Sequence, residues 1–125
     1  MCLGQNISIE VLNQYLEDAG LLNWINSLNN GINTIVGEKG VKLSTGQKQR
    51  LNLIREIILN KDLYILDEPT SNLDNLSENK IYNMIDKYLK DKTLIIVTHK
   101  EKLEKLCNKH YHFENKTLYE KDNKN

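Results

Sequence analysis

The sequence is short of most features that would commit it to a membrane, to export or to nucleic acid. Its longest apolar runs, of which Leu94 to Val97 is typical, fall far below the roughly 20 residues of a bilayer-spanning helix, so direct membrane insertion is not expected. The opening Met1-Cys2-Leu3-Gly4-Gln5 has no basic region and no long apolar core, and its glycine is not at position 2. That sets aside a secretory signal and N-myristoylation. The 17 basic residues are balanced by 17 acidic ones, with arginine only at Arg50 and Arg55, whereas a nucleic-acid surface would show a basic excess. Cys2 and Cys107 are the only cysteines and have no CxxC spacing; they read as free thiols in a reducing compartment. With 39% hydrophobic and 27% charged residues, the 125-residue chain has the composition of one folded domain.

A further absence bears on chemistry. A loop that cradles phosphates follows G-x-x-x-x-G-K-[ST]. Gly31 and Gly37 stand one residue too far apart for it, and Glu38 follows where lysine is required. No other stretch fits. Residues 31–40 read instead as a loop with a short extended piece at Ile35-Val36.

What is present comes in an informative order. Ser8 can cap a helix running to about Asp18, with Val11, Leu12, Tyr15, Leu16 and Ala19 on one face and Gly20 as its stop. Leu21 to Leu28 reads as a second short helix. Ser44 and Gln47 have capping-box spacing and open a third, whose buried face is Leu51, Ile54, Ile57 and Ile58, with Lys48 and Arg50 in solvent. A capped helix start bearing serine and glycine is also suited to anions, because its N–H groups and its dipole point the same way.

Leu63 to Leu66 is an apolar run of strand length ending at Asp67 and Glu68. Successive strand residues point to opposite sides, so the two acids are expected to differ in reach. One can hold Mg²⁺ and the other can polarise a water. Pro69 ends the extended piece. Asn75 and Glu78 have capping-box spacing for a helix carrying Ile81, Ile85 and Leu89, and Thr93 to Val97 is a second apolar strand. Strand, helix and strand in this length make one βαβ crossover. Thr98-His99 then falls at the same sheet edge as the two acids, the edge at which ligands bind in open parallel sheets. Lys100 to Lys109 reads as a short helix with Leu103, Leu106 and Cys107 inward. His110 to Phe113 and Thr117 to Tyr119 read as a hairpin. His110 and His112 share a face without an evident third ligand, so a solvated strand face is preferred to a metal site. Lys121 to Asn125 reads as a frayed tail.

Taken together, these motifs resemble the C-terminal half of an ABC-transporter ATPase domain of exporter type. Leu43-Ser44-Thr45-Gly46-Gln47 is similar to the family's signature, with Thr45 where a second glycine is usual, and Gln49-Arg50 continue the match. Leu63 to Asp67 resembles the Walker B strand and Glu68 the catalytic base after it. Ser71-Asn72-Leu73-Asp74 resembles the D-loop, with Asn72 for the common small residue, and His99 resembles the switch histidine. The resemblance implies a partial P-loop NTPase fold of class α/β: a helical and signature subdomain (1–60), then a βαβ parallel-sheet core with a C-terminal hairpin (61–125). It implies ATP and Mg²⁺ as cofactors, with Asp67 on the metal, Glu68 activating water and His99 on the γ-phosphate. Ser44, Thr45, Gly46, Gln47 and Asp74 would act across a head-to-tail dimer on the nucleotide of a second ATPase domain. The β-branched Thr45 narrows the gap to that nucleotide. The further partner implied is a transporter's transmembrane domain, at the cytoplasmic face of the membrane.

The adenine-stacking segment, the P-loop lysine and the glutamine loop are absent from these residues. The sequence therefore reads as a fragment of an ATPase, inactive alone and coupling hydrolysis to export when completed. The alternatives are a non-catalytic module that offers its signature surface to a complete partner, or a truncated product without function. In the family's sheet the P-loop strand lies beside the strand corresponding to Thr93–Val97, so a bare apolar edge and marginal solubility are expected here.

Overall fold

Two serines and an aspartate set the starts of the three long helices in the computed structural model, which describes residues 7–121. Ser8 accepts from the Val11 N–H and opens α1, Ile9–Asp18. Its end is a Schellman turn: Gly20, at φ +65°, donates to the Glu17 carbonyl, and Leu21 donates back to Leu16. A left-handed residue is needed there, and glycine adopts that conformation without a steric penalty. Next come α2, Leu22–Asn26, shorter than the span read from sequence, and a 3₁₀ turn, Gly31–Asn33. The extended piece near Val36 is real but minimal, a single bridge between Val36 and Val41.

Ser44 opens α3, Thr45–Ile58, with both halves of the capping box formed. The chain then turns through Asn60 (φ +46°) into β1, Leu63–Asp67. Helix α4, Asn75–Leu89, crosses to β2, Thr93–Val97, which pairs parallel with β1 in the register Leu63 to Thr93 through Asp67 to Val97. A one-turn helix α5, Glu101–Glu104, precedes the antiparallel hairpin of β3, Tyr111–Glu114, and β4, Thr117–Glu120.

Leu12 and Leu16 of α1, Leu51, Ile54 and Ile57 of α3, and Ile81, Met84, Ile85 and Leu89 of α4 share one buried cluster with Tyr64 of β1 and Leu103 of α5. The Tyr64 hydroxyl satisfies itself at that depth, donating to the Glu56 carbonyl at 3.3 Å and accepting from the Lys61 N–H at 2.9 Å. A polar tie reinforces the packing of α1 on α4. Asp18 accepts from Lys87 Nζ at 2.6 Å and from the Tyr88 hydroxyl, and Tyr88 stands edge-on to Tyr15.

The sheet uses one of its faces. Tyr64 is buried and Leu66 and Leu94 pack against the helical core, while Leu63, Ile65, Ile95 and Val97 point the other way and are exposed, Ile65 at 66% and Ile95 at 50%. The expected bare edge is therefore accompanied by a bare apolar face.

Four sequence expectations need correction. Arg50 is not in solvent: its Nη1 donates to the Ala19 carbonyl at 2.9 Å and its Nε to the Gly46 carbonyl at 3.1 Å, joining the end of α1 to the start of α3. The cap of α4 is Asp74, not Asn75, since aspartate accepts from the Ser77 N–H three residues on, and Glu78 pairs instead with Lys100. The helix expected over Lys100–Lys109 stops at Glu104; Leu103 is buried, whereas Leu106 and Cys107 are only partly covered. Glu68 does not continue the alternation of the strand, because its φ is +44°. Cys2 and the tail beyond Lys121 lie outside the described residues.

Candidate active site

The carboxyl edge of the β1–β2 pair gathers the acids and the imidazole. Asp67 is the last residue of β1 and lies on the exposed face, in register with Val97. The Glu68 N–H donates to the Val97 carbonyl at 2.8 Å, one step beyond the ladder, and its carbonyl accepts from Ser71 at 3.1 Å, closing a turn over Pro69 and Thr70. The left-handed backbone at Glu68 is what re-aims its side chain. A non-glycine residue in this region costs about 1–2 kcal/mol, which the two backbone hydrogen bonds help to hold. Glu68 Oε1 lies 3.4 Å from Nε2 of His99, with the glutamate 32% exposed and the imidazole 96% exposed.

Bonds on either side of His99 hold the backbone segment that carries it. The Lys100 N–H donates to the Thr98 hydroxyl at 3.0 Å, Lys100 Nζ reaches Glu78 at 3.2 Å, and Lys102 donates to Asn79. The segment after β2 is thus fastened to α4, and the histidine projects from it toward Glu68.

A second set of residues lies at the start of α3. The Ser44 hydroxyl accepts from the Gln47 N–H at 3.1 Å, and Gln47 Oε1 accepts from the Ser44 N–H at 2.9 Å. The cap takes up the Gln47 N–H at the first turn of α3. Gly46 is buried because α4 passes close by; a Cβ there would meet Ser77 Oγ at 3.0 Å and Leu73 Cδ2 at 3.6 Å. Asp74 is spent on its cap, with one carboxylate oxygen accepting from the Ser77 N–H and the other from the Ser77 hydroxyl, both at 2.9 Å. These two bonds hold the Asp74 carboxyl below the ordinary aspartate range.

The structure brings Glu68 and His99 together and sets Asp67 beside Glu68. It gathers Ser44, Thr45, Gly46, Gln47 and Asp74 into a separate group at the starts of α3 and α4. Sequence reading missed Ser77 and the inward turn of Arg50. The three-residue interval from Asp74 to Ser77, the normal reach of an aspartate cap, was the available signal for the first.

No group of three or more metal-ligating side chains occurs among the described residues. Mg²⁺ is compatible with that, because it is held by one or two carboxylates together with substrate phosphates rather than by an all-protein cage. An exposed aspartate ending a parallel strand, with a glutamate next to it, is a donor set of this kind. Likewise, no described helix is long and apolar enough to cross a membrane.

A parallel strand pair with acids and an imidazole at its carboxyl edge, joined by a crossover helix, is consistent with part of a P-loop NTPase fold. The sequence profile of the family described as "ABC transporter" matches residues 5–71, more than half of the chain. The chain belongs to the ABC transporter family and carries the C-terminal portion of an exporter-type ATP-binding domain. It is 45% identical over 84 residues to ABC transporter B family member 1 of Dictyostelium discoideum, covering 67% of this chain and 9% of that protein. The ATP-dependent lipid A-core flippase of Pasteurella multocida is 42% identical over 84 residues, covering 67% of this chain and 14% of the flippase. That of Vibrio vulnificus is 37% identical over 97 residues, covering 78% and 17%. The chain thus spans less than a fifth of the length of these relatives.

Proposed function

We propose that these residues form the Walker B to switch-histidine half of an ATP-hydrolysing domain, serving export across a membrane once a P-loop half and a second ATPase domain complete it. The observation that carries this reading is the 3.4 Å approach of His99 to Glu68 at the carboxyl edge of a parallel strand pair. Hydrolysis needs a base beside a group that can contact the phosphate being cleaved. Here the two arrive from different strands of one sheet.

In this reading Asp67 is a ligand of Mg²⁺, which when bound would neutralise charge building on the phosphates. Glu68 accepts the proton of the attacking water. His99 donates to the γ-phosphate, giving up its contact with Glu68 as it does so. Ser44, Thr45, Gly46, Gln47 and Asp74 act on the nucleotide of the opposing domain, where the start of α3 presents N–H groups and the positive end of its dipole. The head-to-tail partner domain and a transmembrane domain at the cytoplasmic face complete the assembly. The division into a helical and signature part (1–60) and a core part (61–125) belongs to the same proposal.

One observation favours a second reading, in which the chain only offers its signature surface. Both bonds of the Ser44–Gln47 box are already formed, whereas Asp67 stands on an uncovered sheet face.

Mixing with a complete exporter-type ATPase domain separates the two. The chain alone is expected to hydrolyse no ATP above background. Stimulation of the mixture that disappears with Glu68→Gln supports the catalytic reading. Stimulation that disappears with Ser44→Ala but survives Glu68→Gln supports the signature donor. A mixture no faster than the complete domain alone overturns both.

A further inference from the structure

We infer that Ser77 is a positioning residue that joins the signature helix start to the D-loop, so that displacement of Asp74 is transmitted to Gly46. The functional value of this coupling rests on the reading that both segments face the nucleotide of an opposing domain.

The two segments are separated by about thirty residues, yet α4 brings them into contact. Ser77 is 5% exposed and sits between them. On one side its N–H and its hydroxyl engage both carboxylate oxygens of Asp74, each at 2.9 Å. On the other, its Oγ occupies the place a side chain at Gly46 would need, only 3.0 Å from an ideal Cβ there. The absence of a side chain at Gly46 therefore lets this helix start lie against α4, in addition to any role in approaching a ligand. A long contact also links the two segments: Gln49 Nε2 reaches the Ser71 carbonyl at 3.5 Å, and among the described residues its buried Oε1 has no partner.

This arrangement has a mechanical consequence. Asp74 cannot swing toward another molecule without releasing both bonds from Ser77. A buried hydroxyl that loses its acceptor must find another or carry a desolvation penalty. The Ser77 hydroxyl would then rotate in a space whose far wall is the backbone of Gly46. Contact made by Asp74 across a dimer is in this way felt at the first turn of α3, and contact at that turn is felt at Asp74, since coupling between sites is reciprocal.

The coupling can be read in the chain alone by amide NMR. Asp74→Asn should shift the resonances of Gly46 and Gln47, and in a Ser77→Ala background the same change should move them less than half as far. Ser77→Cys, which keeps the size of the side chain but donates weakly, serves the same comparison if Ser77→Ala does not fold. A merely structural serine would leave the two perturbations additive. Asp74→Asn without effect at Gly46 and Gln47, or with equal effect in the Ser77 variants, would overturn the inference. Failure here alongside stimulation in the mixing experiment removes the coupling and leaves the function. Coupling without stimulation does the reverse.

Discussion

The two faces of the β1–β2 pair are built from the same kinds of residue and meet opposite fates. Tyr64, Leu66 and Leu94 face the helices, whereas Leu63, Ile65, Ile95 and Val97 face solvent. Parallel strands are ordinarily covered on both sides, which is why they read as unbroken apolar runs rather than as alternating ones. Leu63-Tyr64-Ile65-Leu66 and Leu94-Ile95-Ile96-Val97 are such runs. The composition of the outer face is that of an interior, so these strands are written for a sheet with a second covering layer. Asp67 stands on that outer face, so a layer laid over it would close around the carboxylate proposed to bind metal.

Stability should separate the faces most clearly. Ile85, fully buried in α4, is expected to cost about 2–5 kcal/mol on truncation to alanine, by lost transfer energy and the cavity left behind. Urea unfolding followed by circular dichroism measures it, and a loss below about 1 kcal/mol would mean that the helical side is not the packed one.

The polar tie on the helical side sharpens the contrast through pH. Burial works against the charge of Asp18, but hydrogen bonds from Lys87, Tyr88 and Gln14 and the Lys87 charge outweigh it, so its pKa lies below the usual aspartate value. That of Asp74 is lowered by Ser77. For a carboxyl depressed on folding, the stability gained is complete above the unfolded pKa, about 3.9 for aspartate, and is lost as pH falls through the lower folded value. Lys87, raised by its bond to Asp18, loses its contribution only at strongly alkaline pH. Melting temperature should therefore fall below about pH 4. Asp18→Asn should melt lower than the parent at pH 7 and show a shallower acid decline; an unchanged acid limb would remove Asp18 from this account.

The smallest effect belongs to the outer face. Ile65→Lys, at a position 66% exposed, should change stability by no more than about 0.5 kcal/mol. It should at the same time reduce self-association in sedimentation velocity, because the outer face and the unpaired edge of β2 invite pairing. A large loss of stability would show that the outer face is packed after all.

Local signals in the sequence carried much of the fold. Ser8, Gly20 and Ser44 mark helix ends by short-range hydrogen bonding, and the two apolar strands with their acids and histidine declare one edge. Errors arose where tertiary context decides. Arg50 turns inward because the α1 terminus offers it a carbonyl, which no feature near position 50 announces. Asp74 and Asn75, by contrast, are both good caps, and it is the local Asp74–Ser77 bond that makes Asp74 the one used. The helix expected after Lys100 ends at Glu104 and passes into turns at Leu106 and Cys107. The uncovered face was illegible for a different reason: an apolar strand reads alike whether or not its second layer is at hand.

The left-handed backbone at Glu68 has a consequence for any effort to make this protein hardier. Glycine would relax the peptide there, and asparagine would tolerate it better than glutamate does. A library screened only for survival of heat would therefore drift away from the acid at position 68, selecting sturdier molecules that have lost the group on which hydrolysis is proposed to depend.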